Sequence, residues 1–392
     1  MSIKNSYGDN IVPHKNFNGQ TVIIIGAGLA GCEAAWFLAN KGVAITLLEC
    51  KGLSLGPAQT IHTFAELVCS NSLKSTRTES AHGILKSEMS KLNSLVLSVA
   101  NNPQIKVPAG EALAVDRNLF SKKITELIKT HPLITTIEKE VYDPLEELAI
   151  YKADYIIIAC GPLATNSISN WIKNCMQTDD IYFYDAIAPI VDSKSLDYSK
   201  LFWQNRQRSY NLTDKKTAST SAPDPASAPA SSPAEAPAED YLNIPLSKDQ
   251  YYNFVDNLIS AQKVPSRDFE EYHFFEGCMP IDALAERGRD TLRCSCMKPG
   301  GLGVDRNVAA IVQLRKENLQ GDALNLVGFQ TRLTFSEQAR IFRTLPGLVQ
   351  AHFLRYGQVH RNTFIYAKNL LDFDLRSKQF PNIYFAGQIS GV

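Results

Sequence analysis

The chain has no apolar run of the 18 or so residues that a membrane-spanning helix requires. Its first twenty residues, with Lys4, Asp9, His14 and Lys15 among them, contain no apolar signal-peptide core. It has no excess of either charge, since 40 Lys and Arg stand against 40 Asp and Glu. A global basic field for nucleic acid is therefore excluded, and any RNA contact must come from a local patch. It also lacks a regular cysteine frame. The eight cysteines are scattered over 392 residues, so reduced thiols in the cytoplasm are expected rather than a disulfide scaffold. Cys294-Ser295-Cys296 is too closely spaced for a zinc half-site and has no partner pair, so no metal is expected. No C-x-x-C or C-x-x-x-x-C pair is present, which argues against a flavin disulfide reductase. At 44% apolar and 20% charged, the composition is that of a globular protein.

Patterned sequence starts at Thr21. The β-branched run Val22-Ile23-Ile24-Ile25 predicts a strand entering Gly26. Leu29, Ala30, Ala34, Trp36, Phe37 and Leu38 predict a helix ending at Gly42, and Val43–Leu48 the next strand, closed by Glu49. Further helices are expected over 82–100, 118–130, 248–261 and 336–343. Strands are expected over 133–141, 153–159, 308–314, 324–328 and 382–386, with an extended stretch at 272–275. Residues 217–239 are almost entirely Ala, Ser, Thr, Pro, Asp and Glu. Such a stretch cannot bury enough apolar area to offset its ordering entropy, so a disordered loop is expected there. The expected architecture is α/β: a doubly wound, Rossmann-like domain (20–189 plus 331–392) with an inserted α/β domain (190–330).

The strongest motif is Gly26-Ala27-Gly28-Leu29-Ala30-Gly31 between that strand and that helix. Gly26 permits the tight turn, Gly28 lets a pyrophosphate approach the backbone, and Gly31 lets the helix pack close to the strand. The helix N-terminus directs N–H groups and a positive dipole at the phosphates. Glu49 is placed to accept the adenosine ribose hydroxyls. A glycine turn without ligand is the alternative. Two further features favour FAD. A buried strand runs into Gly161, and the terminal strand runs into Gly387-Gln388-Ile389-Ser390-Gly391, a turn type that meets the flavin and ribityl chain.

Cys69 and Cys278 each sit between an apolar run and a turn-prone or helix-starting segment. Helix N-termini lower thiol pKa and activate cysteine as a nucleophile. An inert buried thiol is the alternative for either. Basic residues gather at Arg287, Arg289, Arg293 and Lys298, then Arg306, Arg315 and Lys316. Others are Lys74 and Arg77, and Arg355, His360 and Arg361 with Tyr356 and Phe364 interleaved. A polyanion or the glutamate tail of a folate would suit these clusters; a solvated charged face is the alternative.

In this order, the segments VIIIGAGLAGCEAAWFLANKGV, FAELVCSNSLKS, VPAGEALAVDR, YFYDAIAPIV, FFEGCMPIDALAERGRDTL, LVGFQTRLTF, RYGQVHRNTFI and FAGQISGV resemble the folate- and flavin-dependent tRNA uracil-5-methyltransferases from about Val22 to Val392. The resemblance implies FAD, NADH or NADPH as its reductant, 5,10-methylenetetrahydrofolate as carbon donor, and 5-methyluridine in the T-loop of tRNA as product. It implies Cys278 as the uracil nucleophile, Cys69 as its partner thiol, and His360 and Asn362 at the folate. No membrane or protein partner is implied. A relative acting on 23S rRNA or the tRNA wobble uridine, and a non-catalytic flavin- or RNA-binding protein, are the alternatives. Two stretches depart from the family pattern: Gln59-Thr60-Ile61, where paired histidines are usual, and Ser295-Cys296-Met297. The resemblance implies a family chain that continues past Gly391-Val392, so either a truncated chain or weakened FAD binding is expected.

Overall fold

A computed structural model describes residues 19–56, 58–176, 181–206, 239–265, 274, 279–302, 304–305 and 307–391. The first half contains β1 (Thr21–Ile25), α1 (Leu29–Ala39), β2 (Ala44–Glu49), β3 (Ser72–Ser75), α2 (Ala81–Lys91), α3 (Leu95–Ala100), β4 (Lys106–Val107), β5 (Ala112–Val115), α4 (Arg117–Thr130), β6 (Ile134–Glu138), α5 (Pro144–Tyr151), β7 (Tyr155–Ile158) and α6 (Asn166–Met176). Next come β8 (Ile181–Ala186), β9 (Ile190–Asp192), β10 (Phe202–Trp203), β11 (Tyr241–Leu246), α7 (Lys248–Ser260), α8 (Ile281–Glu286), α9 (Thr291–Cys294), β12 (Ala310–Lys316) and β13 (Ala323–Leu326). The last elements are α10 (Phe335–Phe342), β14 (Phe353–Arg355), β15 (Val359–Phe364), α11 (Ala367–Leu370) and β16 (Ile383–Phe385).

The first sheet has the order β16-β7-β1-β2-β6, and every neighbouring pair is parallel. β1 lies at its centre and is apolar on both faces for that reason. Val22 and Ile24 face a core built with α1, α3 and α4, while Ile23 and Ile25 face one built with α6 and the C-terminal elements. This is the expected doubly wound arrangement. Local signals set its helices: Asp116 caps α4 through Asn118 and Leu119, and Asp143 caps α5 ahead of Pro144.

The second sheet, β10-β11-β12-β13-β9-β14, pairs antiparallel throughout. α7 is started by a Ser247–Gln250 capping box and packs on this sheet with α8 and α10. Residues beyond 330 take part in this packing. Ile341, Phe342, Leu345, Leu348 and Phe353 all lie in the core of the second sheet, and β14 pairs with β9. A strand as short as 353–355 gives no periodic signal to place it. β8 and β15 form a separate antiparallel pair.

The single helix expected over 82–100 is two helices. Asn93 adopts φ +59° and Ser94 caps α3, while Glu33 accepts from Ser94 Oγ and from the Leu95 and Val96 N–H groups. Of the expected 217–239 loop only Glu239 is described, and of 272–275 only Phe274; the rest lie outside the described residues. Among the described residues no helix is long and apolar enough to cross a membrane.

Candidate functional site

The carboxyl ends of β1, β7 and β16 converge, which is where parallel sheets of this kind bind ligands. Gly26 turns there with φ +100°, and a side-chain carbon on it would come within 2.7 Å of the Ala159 carbonyl oxygen. A carbon on Gly31 would collide with the Gly26 carbonyl oxygen, so this glycine sets the close approach of α1. Gly28 differs: nothing lies within 4 Å of where its side chain would be, and no side chain caps the helix it starts. Gly28 thus leaves an open approach to the positive N-terminal end of α1, a place suited to an anion such as a pyrophosphate.

Glu49, at the end of β2, accepts from the Ala27 N–H at 2.6 Å and from the Lys51 N–H at 2.9 Å. Its carboxylate lies against the glycine turn. Gly161 follows β7 with φ +69° and open space around it. The Thr363 N–H of β15 donates to the Pro162 carbonyl at 2.8 Å, and the Ile365 N–H to Ile389 at 2.9 Å. The turn containing Gly387, Gln388 and Gly391 therefore lies beside β15 and against α1. All the sequence-predicted cofactor residues meet at this edge.

His360 and Asn362 project from the same face of β15 and are both buried. Burial first, then the nearby Arg355 guanidinium, pushes the His360 imidazole down to about 4. It is therefore neutral at pH 7, and its Nε2 is buried without a hydrogen-bond partner.

Cys69 is half-buried in the segment that joins this edge to the second sheet. Upstream, the Ala65 N–H donates to the Ala27 carbonyl at 2.9 Å. Downstream, Arg315 Nη2 donates to Ser70 Oγ at 2.9 Å and to Asn71 Oδ1 at 2.8 Å. Cys278 lies outside the described residues; its neighbour Ile281 donates its N–H to the Gln330 carbonyl at 2.7 Å. Three buried or half-buried thiols are poor nucleophiles. Burial pushes the Cys160 thiol up to about 12 and Cys50 up to about 11, and raises buried Cys32 as well.

Sequence reading missed Arg117, Glu317, Lys51 and Glu66. Arg117 Nε lies 2.8 Å from Glu317 Oε2, and Lys51 Nζ lies 2.7 Å from Glu66 Oε2, both pairs largely buried. In a one-dimensional pattern they look like ordinary surface charges. Conversely, the basic cluster after residue 286 is not a free cationic face. Arg289 pairs with Asp256 at 2.6 Å and Arg293 with Asp290 at 2.9 Å. Arg306 lies outside the described residues.

A family model described as "Glucose inhibited division protein A" matches residues 21–224 and 224–392. The methylenetetrahydrofolate--tRNA-(uracil-5-)-methyltransferase TrmFO of Geobacter sulfurreducens is 46% identical over 375 residues, which is 95% of this chain and 78% of the relative. The protein of the same name from Aquifex aeolicus is 44% identical over 377 residues, covering 95% and 77%. Among solved structures, Aquifex aeolicus GidA in its form I crystal superposes with a TM-score of 0.63 at 14% identity, covering 95% of this chain and 62% of that one. That last likeness shows the fold.

Proposed function

The chain belongs to the TrmFO family of methylenetetrahydrofolate-dependent tRNA uracil-5-methyltransferases, and we propose on that premise that it forms 5-methyluridine in the T-loop of tRNA. The single observation that carries the reading beyond family membership is the shared edge. There the open approach at Gly28, the Gly387–Gly391 turn, the neutral His360 and the Cys69 segment come together.

When bound and reduced by NADH or NADPH, FAD would supply the hydride that completes a folate-borne methylene carbon to a methyl group. The chain's residues do the rest. Gly28, Leu29, Ala30 and Gly31 would hold the pyrophosphate by backbone N–H groups, Gly26 and Ala27, whose own N–H groups are taken by the Leu48 carbonyl and Glu49, would shape the turn beside it, and Glu49 would receive the ribose. Gly161, Gly387, Gln388 and Gly391 leave the backbone open to the flavin. His360 and Asn362 would line the folate, where an uncharged imidazole meets a neutral ring without the desolvation cost of a cation. Uracil C5 is a poor nucleophile. Addition of the Cys278 thiolate to C6 would make C5 enolate-like, so that it attacks the methylene carbon; loss of the C5 proton would then expel tetrahydrofolate as the leaving group, and hydride addition to the exocyclic methylene left on C5 would expel the thiolate and restore the ring. Cys69 supports this step from the flavin side. The target base must leave its stack to reach the edge. The reaction belongs in the cytoplasm, with its tRNA.

Mapping 5-methyluridine in tRNA and ribosomal RNA from a strain lacking the gene tests the reading. Loss at the T-loop position alone is expected; an unchanged T-loop with loss in ribosomal RNA would overturn the tRNA assignment.

A further inference from the structure

The segment that contains Cys69 is held by a device that no motif announces. Arg117 is the first residue of α4, and its backbone is fixed by the Asp116 cap, whose other oxygen accepts from the Leu319 N–H of the second unit at 3.4 Å. From there, Arg117 Nη1 donates to two successive carbonyls, Leu67 at 3.0 Å and Val68 at 3.1 Å. These are the two peptide groups immediately before Cys69. Both carbonyls point at one nitrogen, an arrangement that would be repulsive without a cation between them. The Nε side of the same guanidinium faces Glu317 Oε2 at 2.8 Å, just past β12. Arg117 Nε and Nη2 and Glu317 Oε1 are buried without hydrogen-bond partners, so the contact with Glu317 is a buried ion pair rather than a hydrogen bond.

Past Cys69 the segment is gripped again. Asn71 Nδ2 donates to the Lys316 carbonyl at 3.0 Å, and Arg315 reaches Ser70 and Asn71. Two non-glycine residues with left-handed backbone flank it, Ala65 at φ +49° and Lys74 at φ +67°. Such conformations persist only where the surroundings over-determine them. The Cys69 segment is thus a bent strap. It is pinned at one end to the glycine turn through Ala27 and along its length to the second unit, the one that contains α8 just after Cys278.

We propose that Arg117, with Glu317 as its partner, is a positioning residue for the uracil-5-methyltransferase reaction. It fixes where the Cys69 sulfur stands relative to the edge that receives flavin, folate and base. A planar fork serves here as an ammonium cannot: one face of the guanidinium grips two carbonyls while the other meets a carboxylate from a different unit. Arg355, within electrostatic reach of Arg117, Glu317 and Cys69, places a further cation beside the thiol. The proposal rests on the role assigned above to Cys69.

Arg117→Lys keeps the charge and loses the fork. Displacements of about 1 Å at a reacting group cost roughly 100-fold in rate, so kcat for tRNA methylation should fall by one to two orders of magnitude. KM for tRNA, FAD content and the rate of NADPH-driven flavin reduction should stay within about twofold, a split that general loosening would not produce. Wild-type kcat in folded, FAD-containing Arg117→Lys overturns the proposal. If Arg117→Lys does not fold, Glu317→Gln serves instead: it leaves the carbonyl grip and removes only the counter-charge, so a smaller kcat loss with unchanged KM is expected. Wild-type kcat in Glu317→Gln then overturns it. Cys69→Ala run alongside separates the two failures. Full activity in Cys69→Ala removes the reading of Cys69 itself, whereas inactive Cys69→Ala beside fully active Arg117→Lys removes only the positioning role.

Discussion

Gly387 and Ala30 face each other so closely that a side-chain carbon on Gly387 would stand 2.6 Å from the Ala30 Cβ. The turn near the C-terminal end of the chain thereby rests on the first turn of α1, and residues far apart in sequence form one wall of the cofactor edge. Gly387 also has φ +76° with ψ −161°, a conformation open essentially to glycine alone. Gly387→Ala should therefore cost on the order of 1–3 kcal/mol from backbone strain, with the Ala30 contact adding to it. Thermal melting and the flavin absorbance of the purified variant measure both effects, and lower FAD content than wild type is expected.

Gly28→Asp tests the Gly28 opening from the opposite direction. The site has space for the side chain, so the fold should survive. A carboxylate there would repel a pyrophosphate and occupy its place. The variant should purify folded and colourless by circular dichroism and absorbance; full FAD occupancy would count against the assignment.

The two thiols should separate in function. Cys278→Ala should abolish methylation while leaving FAD bound and NAD(P)H-driven flavin reduction intact. Wild-type protein should trap 5-fluorouridine-substituted RNA covalently, because fluorine at C5 does not leave as a proton does. Cys278→Ala should not trap it, and Cys69→Ala should lose turnover but keep trapping. A gel shift followed by peptide mapping decides the outcome, and a cross-link at another cysteine would refute the nucleophile role.

His360 predicts an acid-side loss of stability. Its folded-state pKa of about 4 lies below the usual 6.5, so the unfolded chain binds this proton more readily than the folded one. The neutral imidazole's contribution is fully present above about pH 6.5, and it declines as the pH falls toward 4. Wild type should therefore show a steeper fall in unfolding free energy across that window than His360→Asn. Urea titrations at several pH values give the two slopes, and equal slopes would contradict the assignment.

The Lys51–Glu66 pair predicts asymmetry. Glu66 Oε1 also accepts from the Thr60 N–H and hydroxyl, at 2.8 Å and 2.7 Å, so this carboxylate organises the segment before Cys69. Lys51→Met leaves it buried and uncompensated and should cost about 3–5 kcal/mol. Lys51→Met combined with Glu66→Gln should recover part of that loss in a double-mutant cycle read by denaturant unfolding.

The local elements and the cofactor edge were legible in the chain because their signals are local. The apolar run 22–25, the spaced glycines 26, 28 and 31, and the Asp116 and Ser247 caps each act within a few residues. They specify a strand–turn–helix with an open helix end regardless of what packs around it. The kink at Asn93 was hidden, since Leu92 and Leu95 continue the helical spacing, and the Ser94 cap is joined there by contacts with Glu33 on α1 that sequence does not show. The membership of β14 in the second sheet was hidden because three residues carry no period. The meeting of Arg117 with the Leu67 and Val68 carbonyls, and of Gly387 with Ala30, depends on loop closures between distant segments. Only the tertiary structure decides such contacts, because their stabilisation appears only after the chain entropy of bringing those segments together has been offset by the whole core. Charge shows the same division. The sequence determines that Arg289 and Arg293 are cations, but the fold decides that Asp256 and Asp290 neutralise them while Arg117 is turned inward to hold a thiol segment.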